Sequence, residues 1–364
     1  MDKDLIHKIK LAGLVGRGGA EFPVYLKWLA VYRAMISQEN IHCQVRGQDE
    51  IACYYHPDQS PRPKVCYVVA NGAEGEPGIK KDGHILDKHP EIFLSGLKLA
   101  ADFLRAKKVY LFLRHDYFKK YQDNLIKEAA KISLLHKLEI ISKPEGAGYI
   151  AGEESTILNI IEGGRIEPRL RPPYPTAHGL FNQPTLINNI ETFYDVALVA
   201  SGKYKKERFF TLNGDIKNKG VFAYPLNWTI AQVLKASDNY PMWPFFVQVG
   251  GDASGEVLSE DQLNRPASGA ASITVYNLKN HDPHKLLASW LEFFKDESCG
   301  QCVPCREGSF RLWEAINAAR MDWQLFEEIL SDLSESSFCA LGASIPVPIR
   351  SYWQNIIKRY SLKI

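Results

Sequence analysis

What this 364-residue chain lacks narrows its roles before any motif is weighed. Neither sign of charge is in surplus: 44 Lys and Arg stand against 42 Asp and Glu, which argues against a general nucleic-acid binder or a charged, disordered chain. No apolar run approaches the roughly 18 residues that a bilayer span needs. The opening "MDKDLIHKIK" has no apolar stretch of the secretory kind, so the expected compartment is the cytoplasm. Internal repeats and low-complexity tracts are missing too. Cysteine is scarce and odd in number, seven in all with four crowded into the last fifth of the chain. That distribution speaks against a disulfide framework and for metal binding in a reducing compartment. Cys43, Cys53 and Cys66 read as ordinary thiols.

What is present describes a folded protein. An apolar fraction of 45% and a length of 364 residues exceed what one core usually organises, so two or three domains are expected. Residues 1–207 alternate β-rich runs such as "VCYVVANG" (65–72), "VYLFL" (109–113) and "KLEIIS" (137–142) with helical periodicity in "PEIFLSGLKLAADFL" (90–104) and "YQDNLIKEAAKISLL" (121–135). This is an α/β pattern of strands and crossover helices. Residues 208–275 hold short strands around one helical segment, "TIAQVLKA", and read as a small α+β domain. From 276 to 364 the periodicity is helical, with one apolar face each in "HKLLASWLEFFKDE", "FRLWEAINAARM", "WQLFEEILSDLS" and "SYWQNIIKRYSL", which predicts a helical bundle.

"ESCGQCVPCREG" (297–308) spaces Cys299, Cys302 and Cys305 as C-x2-C-x2-C. A zinc ribbon needs two separated C-x2-C pairs and a zinc finger needs distant histidines. Three thiolates at this spacing can instead each take one iron of a [4Fe-4S] cube, leaving the fourth iron to a distant ligand. Cys339 in "SSFCALGAS" is the only cysteine downstream. A three-cysteine zinc site using His281 or His284, or plain thiols on a helix, are the alternatives. Gly300 and Pro304 suit a tight loop, and Lys295 and Arg306 are placed to tune a negative cluster.

Upstream, "GLVGRGGAEFP" (13–23) is dense in glycine and suits either an anion-binding nest or a structural turn; no strand precedes it, so it is not a dinucleotide fingerprint. "NGAEGEPGIKKDG" (71–83) sets Glu74 and Glu76 directly after a strand, where carboxylates can meet ribose hydroxyls. In "EGAGYIAGEESTILNIIEG" (145–163) Glu153 and Glu154 open a helix whose amides can meet a phosphate. Asn188 and Asn189 add side-chain amides, and "RIEPRLRPPYPTAHG" (165–179) reads as extended chain over a surface. Three glycine-acid loops of this kind suit a nucleotide or flavin. The basic runs "KYKKER" and "KNK" lack interleaved aromatics and read as a solvated face or partner contact. His7, His84, His89, His115, His136 and His178 show no ligand-like pairing.

Taken in order, "GRGGAEFPVYLKW", "ANGAEGEPGIKKDG", "GYIAGEES", "EPRLRPPYP", "INNIETF", "ESCGQCVPCREG" and "FCALG" resemble the NADH-binding flavoprotein subunit of respiratory complex I and its relatives in NAD-linked hydrogenases and formate dehydrogenases. The resemblance implies a Rossmann-like FMN domain, a ubiquitin-like β-grasp domain and a four-helix bundle with one [4Fe-4S] cluster. It puts Gly16, Arg17, Gly18, Lys27, Asn71, Glu74, Tyr149, Gly152, Glu153, Asn188 and Asn189 around FMN. Phe22, Glu76, Glu154, Arg171 and Tyr174 fall where the family handles NADH, with Glu76 positioning it. Hydride then passes from nicotinamide to flavin, and electrons leave through Cys299, Cys302, Cys305 and Cys339 toward a small thioredoxin-like [2Fe-2S] subunit and further iron-sulfur subunits, with the whole at most peripheral to a membrane. Glu76 and Glu154 would repel a 2′-phosphate, favouring NADH over NADPH.

The chain departs from the family pattern at Glu21, where a glycine is usual, at Val24 and Tyr25 in place of Thr-Gly, at Ala73 in place of aspartate, and at Ala30 in place of an aromatic. It also starts close to the glycine loop and shows no thioredoxin-like or extra ferredoxin domain, so it reads as a minimal member. These departures sustain a second reading: a relay or scaffold subunit that keeps the cluster but has lost FMN or NADH binding.

Overall fold

Val68, Val69, Leu111, Phe112, Leu186 and Ile187 are almost wholly withdrawn from solvent, as strand residues are when both faces of a parallel sheet are covered. They belong to a computed structural model that describes residues 3–36, 41–46, 50–55, 65–319 and 321–362, with side chains described outside residues 3 and 41–55. Cys43 and Cys53 therefore lie outside the described side chains. Cys66 is a core thiol: its Sγ donates to Leu104 O at 3.1 Å, and burial pushes it up to about 12, the mark of an inert cysteine.

The chain divides into two compact units, the first made of Met1–Glu74, Lys81–Ala147 and Ala151–Lys206. Helices α1 (Lys3–Leu11) and α2 (Val24–Ile36) precede an antiparallel hairpin, β1 (Ile41–Arg46) and β2 (Glu50–Tyr55). Then follow β3 (Tyr67–Gly72), α3 (Lys81–Lys88), α4 (Pro90–Phe103), β4 (Lys108–Leu113), α5 (His115–Lys131), β5 (Leu138–Ser142), α6 (Glu154–Ile161), β6 (Thr185–Asn189) and α7 (Ile190–Ala200). The four strands β5-β4-β3-β6 form a sheet that is parallel throughout. The chain steps outward from β3 through β4 to β5, then returns to the other side of β3. That reversal opens a crevice at the carboxyl ends of β3 and β6, where open α/β sheets bind ligands. Helices α4 and α7 approach so closely that a Cβ at Gly96 would lie 1.8 Å from the Phe193 carbonyl oxygen.

The second unit comprises Gly75–Lys80, Gly148–Ile150 and Glu207–Ile364. It has a mixed sheet of β7 (Glu207–Gly214), β8 (Gly220–Pro225), β9 (Phe245–Val249), β10 (Glu256–Ser259) and β11 (Ser272–Asn277), in the order β10-β9-β11-β7-β8 with only β11 and β7 parallel. Helix α8 (Ile230–Ala236) starts at a capping box of Thr229 and Gln232, which satisfies orphan amides at both ends of the motif. It buries Ile230, Val233 and Leu234 with Phe210, Phe245 and Val247 of the sheet.

Beyond the sheet the unit is helical: α9 (Pro283–Glu297), α10 (Val303–Asn317), α11 (Trp323–Ser336), α12 (Ala340–Ser344) and α13 (Pro346–Tyr352), the last continuing through a π turn, Trp353–Ile357, into α14 (Lys358–Tyr360). Leu291, Phe294, Leu312, Phe326, Leu330 and Leu333 share one core with Cys302 and Cys305. The helix predicted at 310–321 begins earlier, at Val303, because Pro304 occupies a first-turn position that needs no amide partner. Among the described residues no helix is long and apolar enough to cross a membrane.

Candidate functional site

Asn71 is the penultimate residue of β3 and is register-paired with Asn189 at the end of β6. The side chain of Asn71 donates to Gly152 O at 2.9 Å and accepts from Ala73 N at 3.1 Å, fastening the loop before α6 onto the end of β3. Asn189 caps α7 through Glu191 N at 3.0 Å, accepts from Lys81 Nζ at 2.8 Å and donates to Asp82 at 2.7 Å. Gly18 passes alongside, where a Cβ would stand 3.7 Å from that of Asn189. With its amide turned so that both neighbours are satisfied, Asn188 donates to Ile187 O at 2.9 Å and accepts from the buried Trp28 Nε1 at 3.0 Å. Four segments remote in sequence, around residues 18, 71, 152 and 189, thus converge on the crevice at the carboxyl ends of β3 and β6.

Glu74 leaves β3 in a left-handed conformation, φ 32°. Its carboxylate accepts from Asp82 N at 2.8 Å, Gly83 N at 3.3 Å and Tyr117 OH at 2.6 Å. Burial and the nearby Asp82 push it up to about 7, against the pull of Lys81 and Tyr117. Lys81 lies buried between Asp82 at 2.7 Å and Glu191 at 3.2 Å.

The iron-binding candidates are equally concentrated. Cys302 stands at the position before α10, Cys305 falls in its first turn, and Cys339 stands at the position before the short α12, neither Cys302 nor Cys339 bonding the helix amides through its side chain. Cys302 and Cys305 are buried, while Cys299 and Cys339 pack half-buried against the same core. Burial pushes the Cys305 thiol up to about 11, with Cys302, Cys339 and Cys299 adding to the rise and a hydrogen bond to Ser298 opposing it. Arg306 donates to Gly300 O at 2.8 Å and closes the loop. Among the described residues no group of three or more His, Cys, Asp or Glu is set to hold a single metal ion. His281 pairs with Asp215 at 2.8 Å and His284 contacts Ile316 O at 2.7 Å, so neither is turned to the cysteines.

Residues 9–198 match the family described as the Nuo51 FMN-binding domain, and residues 285–361 match the NADH-ubiquinone oxidoreductase-F iron-sulfur binding region. The chain belongs to the Nuo51 FMN-binding family. Among curated proteins it is similar to the F subunit of the NADH-quinone oxidoreductase of Aquifex aeolicus, 28% identical with 94% of this chain and 81% of that protein covered, and to its namesake in Mycobacterium bovis, 29% identical with 96% and 82% covered. Among solved structures it resembles an NAD+-reducing [NiFe]-hydrogenase in the H2-reduced state, with TM-score 0.83 and 28% identity over 99% of this chain and 62% of the other. The chain thus spans less than two thirds of that hydrogenase chain.

As a Nuo51 family member the chain takes FMN and a [4Fe-4S] cluster as cofactors. At the carboxyl ends of β3 and β6 the side-chain amides of Asn71 and Asn189, with Gly18 and Gly152 against them, fit a flavin nucleotide. The four gathered thiols fit a cube, whose positive irons would offset the cost of charging buried sulfurs. The matched region runs through Glu21, Val24, Tyr25 and Ala73, so these departures do not favour the relay reading. Glu21 is exposed in a left-handed turn, φ 50°, in place of the usual glycine, and Val24 is buried at the start of α2.

Several expectations change in detail. Arg17 turns inward: its Nε donates to Asp195 at 2.9 Å and its Nη2 to Tyr204 OH at 2.9 Å, both within the unit. The amides that open α6 do not wait for a phosphate, because Glu153 itself caps Ser155 N and Thr156 N at 2.9 Å each. Glu154 accepts from Lys27 at 2.9 Å and from Arg171 at 2.9 Å, while Arg171 also bridges to Glu153. Lys27 and Arg171 overcome the burial of Glu154 and hold its carboxyl below the usual range. Phe22 is half-buried and Tyr174 exposed, and Gly16 N donates to Phe22 O at 2.8 Å. Lys295 lies over the Trp313 ring at 4.3 Å.

In the second unit, Glu76 accepts from Ala253 N and Ser254 N at 3.0 Å each and from Ser254 Oγ at 2.9 Å. Burial raises its carboxyl, opposed by these bonds and one from Tyr149. The Tyr149 amide donates to Glu297, whose carboxylate leaves no room for a side chain at Gly148. Ser254 and Glu297 escaped sequence reasoning; the glutamate directly before the cysteine loop was the available signal.

Proposed function

We propose that this chain is the NADH-oxidising flavoprotein subunit of a larger redox complex, passing electrons from NADH to partner iron-sulfur subunits. The convergence of Gly18, Asn71, Gly152 and Asn189 on one crevice, in a chain that also gathers four cysteines, carries the reading. Bound FMN supplies a hydride acceptor able to release electrons singly, and the cluster a one-electron carrier.

In this reading residues 1–207 are a Rossmann-like FMN domain, 208–275 a β-grasp domain and 276–364 a four-helix bundle holding the cluster. Lys27 neutralises the flavin phosphate, and Asn71, Asn188, Asn189 and Glu74 meet its hydroxyls and ring edge. Gly16, Gly18 and Gly152 let backbone approach the ligand, with Tyr149 alongside. Phe22 and Tyr174 stack on the adenine of NADH, Glu76 and Glu154 take its hydroxyls, and Arg171 stays nearby as the cation. Glu153 serves the flavin through its cap on α6, and Arg17 through the loop it anchors. Lys27 and Arg171 must exchange a protein carboxylate for ligand on binding, so nucleotide affinity depends on how easily those pairs open. Cys299, Cys302, Cys305 and Cys339 hold the cluster. The partners are a small thioredoxin-like [2Fe-2S] subunit and further iron-sulfur subunits, and the complex works in the cytoplasm or peripherally at a membrane.

Anaerobically purified protein tests this: one flavin released on denaturation and about four irons per chain are expected. Iron without flavin would overturn the enzyme reading and leave the relay.

A further inference from the structure

Ser337 sits at the carboxyl end of α11, two residues before Cys339. Its Oγ is buried and has no hydrogen-bond partner among the described residues. A buried hydroxyl left unpaired is a standing cost, and each such atom in a native protein calls for an explanation, a redox role or a bound group among them. A carbon added at Gly342 would lie 2.4 Å from this oxygen and 3.0 Å from Cys305 Cβ. The hydroxyl and the Cys305 side chain therefore both press on the space over the Gly342 Cα, which only a glycine leaves to them.

A second serine addresses that cysteine from the other side of the sequence. The Cys305 thiol donates to Ser298 Oγ at 3.4 Å. A cysteine that ligates iron has lost this proton. The only hydrogen then left between the two atoms is the serine's own, so the bond survives by reversing, with Ser298 donating to the thiolate.

We propose that Ser337, together with Ser298, donates hydrogen bonds to sulfur at the Cys305 corner of the [4Fe-4S] cluster and raises its reduction potential, so that the cluster accepts electrons readily. Donors to cluster sulfurs draw off electron density and favour the reduced form. The cluster gains one electron from the protein's reduced flavin, while both hydroxyl protons stay on oxygen. The inference rests on the cluster reading above.

Potentiometric titration of the cluster followed by electron paramagnetic resonance, on protein of measured iron content, tests it. S337A and S298A are expected to shift the midpoint to more negative values, and S337T to stay near the wild type. S337V, the same shape as S337T without the hydroxyl, is the second variant. A Val-to-Thr difference in midpoint supports the proposal, and an identical midpoint overturns it. Loss of iron from both S337A and S337V would make the hydroxyl a structural prop and would overturn a tuning role. A wild type without iron would overturn the cluster reading itself, a separate result.

Discussion

Removing Asp195 offers a demanding test of how the glycine loop is held. Arg17 and Asp195 are each 3% exposed and lie 2.9 Å apart. Burial opposes the guanidinium charge, but Asp195, Glu191 and Tyr204 more than offset it and hold the proton more firmly than usual. Asp195→Ala leaves a buried cation short of its principal partner, a change that costs about 3–5 kcal/mol. For a unit of this size that corresponds to a fall of roughly 6–20 °C in melting temperature. Because Arg17 stands between Gly16 and Gly18, the loosened loop should also release FMN earlier on heating, read from the fluorescence of the freed flavin alongside circular dichroism. The paired replacement R17M/D195L removes both charges and should recover most of the loss. A shift under about 2 °C for Asp195→Ala, or a double variant no better than the single, would refute the claim that this pair anchors the loop.

Gly96→Ala should destabilise by about 1–3 kcal/mol or more, since the added carbon meets the Phe193 backbone carbonyl rather than a movable side chain; thermal unfolding unchanged within error would contradict it. Glu21→Gly relieves the left-handed backbone at φ 50° and should stabilise by about 0.5–1 kcal/mol, measured by denaturant titration. Burial, together with the charge of Glu76, pushes Asp252 up to about 6 against the hydrogen bond from Thr274. A carboxyl raised in the folded state contributes stability that is complete below its unfolded value near 4 and lost as pH rises to about 6. Asp252→Asn should therefore flatten the fall in stability between about pH 4 and 6, by at most about 3 kcal/mol; an unaltered pH profile of melting temperature would contradict this.

The strands at 65–72 and 109–113 were legible because a buried parallel strand is a short, continuous apolar run, and the cysteines because C-x2-C-x2-C has few other uses. Hairpin β1–β2 carried no such mark. Neither did the extension of α10 back to Val303, where proline suggested a loop but served as a first-turn residue. The inward turn of Arg17 was hidden for a different reason: its partners Asp195 and Tyr204 lie nearly two hundred residues away. Glu153 shows the same limit, since a glutamate at a helix start reads equally as ligand group or cap, and only the fold shows that it caps.

The central claim is that one chain connects NADH oxidation to a four-cysteine cluster through its own flavin. Adding NADH anaerobically to the purified chain and recording optical and electron paramagnetic resonance spectra tests it most directly. The account predicts that the flavin absorbance bleaches and that a reduced [4Fe-4S] signal appears, lost in Cys339→Ser while flavin bleaching persists. A cluster reducible by dithionite but silent to NADH, in protein that holds FMN, would contradict it.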